Sequence, residues 1–368
     1  MLFLQSAIHV FAQQTPLTNS NIKQAADLWI ANEGEATISY GHISDWDVSG
    51  VTDMFSLFKG ASSFNEDLSS WNVSNVTRTS QMFSRASSFN GDVSSWDVSK
   101  VTDMSGMFYK ALSFNGDVSS WDVSSVIDMS GLFSRASLFN GDVSSWDVSS
   151  VTDMSDLFSW ALSFNGDVSA WDVSKVTNIS FMFAGNLSFN EDISSWNVFN
   201  VTDMSGMFYK AKIFNGDISS WDVSKVVNFS HMFSTCSFNR DISSWDVSSA
   251  KNMSNMFSWN SSFDSDISSW DVSKVTNMER MFHVNTSFNG DLSSWNVSKV
   301  VNMFEMFKSS SFNGSVSSWD VSSVTNMSAM FREAVSFNGD LSSWDVSNVN
   351  NMSFMFFRCL SFVGDIGS

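Results

Sequence analysis

A tryptophan returns at a fixed interval along most of the chain. It stands at 46, 71, 96, 121, 146, 171, 196, 221, 245, 270, 295, 319 and 344. The step is 25 residues except for two steps of 24, at 221–245 and 295–319. Each shortening falls between two phenylalanines, Phe233 to Phe238 and Phe307 to Phe312. A deletion tolerated there marks a loop. A 25-residue period sustained thirteen times excludes an ordinary two-domain globule and requires a stack of like units.

The repeat accounts for the unusual composition. Val stands two residues after every repeat Trp, and Phe twelve after it. A second Phe column runs from Phe64 to Phe362. These two columns hold 26 of the 35 Phe, and two Met columns hold 20 of the 21 Met. Ser-Trp-Asp-Val-Ser alternates apolar and polar and predicts a short strand with Trp and Val inward. Thr-Asp-Met-Ser-x-Met-Phe switches to three- and four-residue spacing and predicts a short helix, with Thr or Asp at its N-cap. Phe-Asn-Gly-Asp predicts the return turn. An isolated unit leaves its strand without a partner, so stability has to come from stacking.

The predicted architecture is an α/β solenoid. It is a right-handed, leucine-rich-repeat-like stack of about 13 repeats, each with a short parallel strand and a short helix or turn. A right-handed parallel β-helix is the alternative. The wording Ser-Ser-Trp-Asp-Val-Ser-x-Val-Thr-Asp-Met-Ser-x-Met-Phe and Ser-Phe-Asn-Gly-Asp resembles the BspA-like leucine-rich-repeat surface proteins, in particular their 25-residue lipoprotein-associated repeat of unknown function. The likeness covers about residues 43–368. It implies a solenoid at the cell surface, a role in adhesion or protein recognition, and no catalytic residues. Trp, Val, Met and Phe stand where Leu is usual.

The ends differ from the repeat. Asn21 to Ala31 predicts a helix with Ser20 as cap, Gly34 after its end, and Ile22, Ala25, Ala26 and Trp29 on one face. Residues 19–42 are thus expected to be an N-terminal helical cap. Residues 1–18 read as a leader or a degraded signal peptide. Residues 43–368 form the solenoid, and the stop at Gly364–Ser368 suggests truncation at the C-terminus.

Charge and composition exclude several classes. A net charge of −19 argues against nucleic acid and anionic membranes as partners. No apolar run is long enough to span a membrane. The four His share no frame, so neither a metal site nor a catalytic His is expected. Cys236 and Cys359 lie in equivalent slots five repeats apart, beyond disulfide reach. No cofactor is expected.

The acids are ordered in columns. Of 38 carboxylates, 27 occupy three columns. Those seven after Trp (Asp103 and equivalents) suit an N-cap, and those after Asn-Gly (Asp117 and equivalents) suit a turn. The column directly after Trp lacks such a reason, because Asp is disfavoured in strands. It holds Asp47, Asp97, Asp122, Asp147, Asp172, Asp222, Asp246, Asp271, Asp320 and Asp345. Neighbouring carboxylates there repel. Ser hydroxyls, raised pKa values or weakly bound divalent cations would offset this. From Asp97 to Asp345 this Ser-Asp-Ser face is the candidate contact for a protein or glycan ligand. The sequence therefore points to a non-enzymatic extracellular or cell-surface recognition protein, a monomer or part of a longer surface protein. A structural spacer or stalk, and a flat-array binder of ice or polysaccharide, are the rivals.

Overall fold

The fold was taken from a computed structural model, which describes residues 16–366. Most of the expected leader lies outside those residues. Two helices open the described chain, α1 (Ile22–Ala31) and α2 (Glu33–Tyr40), followed by a 3-10 turn at Ile43–Asp45. α1 buries Ile22, Ala25, Ala26 and Trp29, and Trp29 meets Trp46 edge to face at 6.1 Å. Asn21, not Ser20, holds the N-cap position, and its Oδ1 accepts from Thr18 N–H at 2.8 Å. Gly34 falls inside α2, a second helix not read from the sequence; Gly41 ends it at φ 82°.

Thirteen rungs follow, stacked in register. Parallel bridges join the position seven after Trp on every rung, from Asp53↔Arg78 to Asn326↔Asn351. The solenoid is therefore real, but its hydrogen bonds are not where the alternation placed them. Among the described residues, Ser-Trp-Asp-Val-Ser makes no backbone bond to the next rung. Side chains bridge instead: Ser95 Oγ donates to Ser69 O at 2.9 Å, and Trp96 Nε1 donates to Leu68 O at 3.1 Å. The period of two reported burial on an extended backbone, with Trp and Val in and Asp out, rather than strand pairing.

The expected helix is also absent. Residues 104–111 form overlapping turns in which alternate amides serve two ends. Met104, Gly106, Phe108 and Lys110 donate to Asp128, Ser130, Leu132 and Ser134 of the next rung at 2.7–3.0 Å. Met107, Tyr109 and Ala111 donate back to Met104, Gly106 and Phe108. This requires a left-handed residue ten and fourteen after each Trp, such as Gly106 at φ 58° and Lys110 at φ 58°. Each is the third residue of a four-residue turn, the type II arrangement. Spacings of three and four fit these turns as well as a helix, which is why the sequence pattern misled. In the two shortened rungs the turn between the Phe columns is missing.

The Trp, Val, Met and Phe columns form one continuous core. Equivalent rings repeat by nearly pure translation, and the translation depends on place. It is 5.6 Å for Phe108–Phe133, 6.0 Å for Phe114–Phe139 and 6.4 Å for Trp121–Trp146. Direct amide–carbonyl bonding sets a pitch of about 4.8 Å. The rungs therefore fan outward from the hydrogen-bonded ladder toward the Trp side, and the ladder lies on the short side. On the return segment an asparagine ladder ties the rungs: Asn115 N–H donates to Asn90 Oδ1 and Asn140 N–H to Asn115 Oδ1, both at 2.8 Å.

Candidate functional site

The Asp column after Trp is exposed and lies on the wide side of the fan, not on the ladder. The face proposed from the sequence is thus not the face of a sheet. Each carboxylate closes a local turn. Asp97 Oδ1 accepts from Ser99 N–H at 3.1 Å and Ser99 Oγ at 2.6 Å; Asp122 does the same with Ser124. Asp147, Asp172, Asp222, Asp246, Asp271, Asp320 and Asp345 take the amide two residues on at 2.9–3.1 Å. The Ser hydroxyl, then the Ser amide, holds the carboxyls of Asp97, Asp147, Asp172, Asp222, Asp271, Asp320 and Asp345 below their ordinary range. The Ser hydroxyls expected to offset the crowding are present, and these pKa values move down rather than up. The column has the turn-building reason that the sequence did not reveal. The other two acid columns do likewise, as Ser105 N–H on Asp103 and Ser119 N–H on Asp117 show. One concavity of about 450 Å³ opens within the column, between Asp222 and Asp246, beside the first 24-residue step.

The chemistry that varies from rung to rung lies elsewhere. Core columns repeat nearly unchanged, but the positions ten, thirteen and fourteen after Trp do not. The tenth reads Gly131, Asp156, Phe181, Gly206, His231, Asn255 and Arg280 on successive rungs. The fourteenth includes Arg135, Trp160, Gly185, Lys210, Thr235 and Trp259. All three columns sit on the ladder turns. They contain nine of the 19 Lys and Arg but only three of the 38 carboxylates. They also hold two of the three Tyr and two of the three Trp outside the Trp column. Sequence reading missed this face because net charge averages over all faces. Aligning the repeats and asking where they differ would have found it.

Among the concavities that open on this face, two are large. The first, about 640 Å³, is lined by Tyr109, Arg135, Asp156, Trp160, Phe181 and Tyr209, with Ser130, Ser134, Ser155 and Ser159 between them. Its rings lie against glycines of the following rung. A Cβ on Gly185 would sit 2.4 Å from the Trp160 ring, and one on Gly206 would sit 2.3 Å from the Phe181 ring. Arg135 and Lys210 each stand 5.7 Å from the Trp160 ring, and Lys210 stands 5.0 Å from that of Tyr209. The second concavity, about 530 Å³, contains His231, Trp259, Arg280, His283, Glu305 and Lys308. Here Glu305 pairs with Arg280 and Lys308, both at 2.7 Å, and Lys210 also lines the site. Burial holds the His283 imidazole down to about 4 and lowers that of His231.

Among the described residues no group of three or more His, Cys, Asp or Glu gathers as a metal site. Cys236 and Cys359 are free and buried, and burial pushes the Cys236 thiol up to about 12. No helix among the described residues is long and apolar enough to cross a membrane.

The model of a family described as "Mycoplasma protein of unknown function, DUF285" matches residues 27–146, 127–240, 220–311 and 308–368, tiling the repeats. No curated protein matches. Solved structures with some likeness include the TLR13–ssRNA13 complex, at 10% identity and TM-score 0.26, covering 86% of this chain and 52% of that one. The chain thus spans about half the length of that chain. The leucine-rich repeat domain of APL1B shows 9% identity and TM-score 0.23, covering 73% of this chain and 79% of that one. The functional domain of InlJ from Listeria monocytogenes shows 11% identity and TM-score 0.18, covering 73% and 69%.

Proposed function

The chain belongs to the DUF285 family, and on that premise we propose that it is a non-enzymatic recognition solenoid of the leucine-rich-repeat type, displayed outside the cell or on its surface. One observation carries this reading: the columns ten, thirteen and fourteen after Trp vary most in chemistry from rung to rung and gather aromatic and basic side chains over concavities of one face, while the core columns repeat. A filler or stalk has no need of rung-specific Trp, Tyr, Phe, Arg and His on one face. A recognition surface needs that kind of diversity, with aromatic anchors and Arg at its centre. The surface is long and shallow, so many modest contacts would add up.

The Asp column is a second contact face, favoured by the concavity between Asp222 and Asp246. Each carboxylate there keeps Oδ2 for a ligand or a loosely held divalent cation. The flat-array reading is weaker, because a stack that fans from the ladder toward the Trp side does not match a planar lattice.

A glycan and cell-surface protein array, probed with the chain with and without calcium, tests the proposal. Hits lost with Trp160→Gly and Trp259→Gly support the ladder face. Both substitutions are tolerable, because Gly60 and Gly185 already occupy that left-handed slot. Loss only with Asp147, Asp172 and Asp222 changed together to Ser would move the contact to the Asp column. An array with no hit would favour the spacer.

A further inference from the structure

We propose that the concavity over Trp160, Phe181 and Tyr209 binds an acidic glycan, an oligosaccharide carrying sulfate or carboxylate groups on some of its sugars. This rests on the reading of the ladder as a recognition face and names the ligand class for that face.

Three features lead there. First, basic side chains outnumber acidic ones around the groove in a chain of net charge −19: Asp156 is the one carboxylate in its lining, Arg135 acts on it from beyond ion-pair distance, and Lys210 stands beside the Trp160 ring. Arg135 and Lys210 flank it, yet neither has a carboxylate within 4.0 Å among the described residues, although the chain has 38 carboxylates. In the neighbouring concavity Arg280 pairs with Glu279 and Glu305, and Lys308 with Glu305. Cations left unpaired beside a groove are free to meet an anion brought by a ligand.

Second, the rings form a stepped platform. Trp160 lies against Gly185 and Phe181 against Gly206, so each ring packs on one rung while its other face turns to the groove. Planar apolar faces at rung spacing suit the C–H faces of successive pyranose rings, and Ser134 and Ser159 between them supply hydroxyl partners. Third, Asp128, Asp153 and Asp203 run along the bridge column at the edge of the same face. A phosphodiester strand, charged at every residue, would meet that row throughout its length. A glycan charged only on some sugars can place its anions on the Arg135 and Lys210 side. This favours a glycan over single-stranded nucleic acid.

The full chain is titrated by calorimetry with a chondroitin sulfate hexasaccharide, chitohexaose and a 13-residue oligouridylate. The sulfated hexasaccharide should bind with an affinity that falls as salt rises, and chitohexaose should bind at least tenfold more weakly. Trp160→Gly, and Arg135→Gly with Lys210→Gly, should each weaken binding about tenfold. Both sets place glycine in a slot that already accepts it, and an unchanged circular dichroism spectrum confirms the fold. The Asp147, Asp172 and Asp222 to Ser variant should bind as before. No binding of the sulfated hexasaccharide, equal binding of the neutral one, tighter binding of oligouridylate, or indifference to these substitutions would overturn the proposal. Array hits lost with Trp259→Gly alongside any of those results would leave the recognition reading standing and remove only this ligand class.

Discussion

Gly131 and Gly206 occupy the same slot ten after Trp, at φ 61° and 59°, and differ only in what lies above them. A Cβ on Gly131 would find nothing nearer than Ser134 Cβ at 3.8 Å; one on Gly206 would meet the Phe181 ring at 2.3 Å. Gly131→Ala therefore incurs only left-handed backbone strain of about 1–2 kcal/mol. The reduced freedom of the unfolded chain offsets about 0.4–1 kcal/mol of it. A net loss of about 0–1.6 kcal/mol follows. Gly206→Ala adds displacement of the Phe181 ring from its seat, an overpacking cost of about 1–3 kcal/mol. Its total is about 1–4.6 kcal/mol. Urea unfolding followed by circular dichroism and Trp fluorescence measures both. Phe181→Ser, which copies Ser56 in the equivalent slot, should bring Gly206→Ala back to the level of Gly131→Ala. Equal losses for the two alanine variants would show that Phe181 does not lie on Gly206, and the stepped ring platform would go with it.

Other perturbations probe the rest of the stack. Trp171→Phe removes the 3.0 Å indole bond to Val143 O, which keeps the 3.2 Å bond from Trp146 N–H. It should cost about 0.5–1.5 kcal/mol in urea unfolding. Asp147→Asn should be nearly neutral at pH 7, since Asn72 and Asn296 close the same turn. Asp147→Ala should lower the thermal midpoint by the equivalent of about 1 kcal/mol. Because burial depresses the His283 imidazole to about 4, its contribution is complete above pH ~6.5 and fades as pH falls from there toward 4. His283→Ser, copying the Ser of other rungs, should flatten a melting profile over that window. Below pH ~4 the Asp columns lose their turn bonds, because carboxylates with lowered pKa stabilise only while ionised. Cys236 should resist a thiol reagent until the chain unfolds.

The sequence determined the repeat, its register and its core. Val, Trp, Met and Phe recur at fixed positions because every rung must present the same apolar surface to two neighbours. The invariance of those columns makes the buried set readable without coordinates. Three things were decided only when rungs met in space. Alternation identified which side chains face inward, but could not say whether backbone or side chain joins the rungs. In the Trp segment, Ser95 and Trp96 do the joining. Three- and four-residue spacing fits a helix as well as a string of type II turns. The choice fell to turns because alternate amides, such as Met104 and Gly106, then reach carbonyls of the next rung. Lastly, residues that seem scattered along the chain, Arg135, Trp160, Phe181 and Tyr209, share one groove only because stacking turns a separation of about 25 residues into a single step between neighbouring rungs.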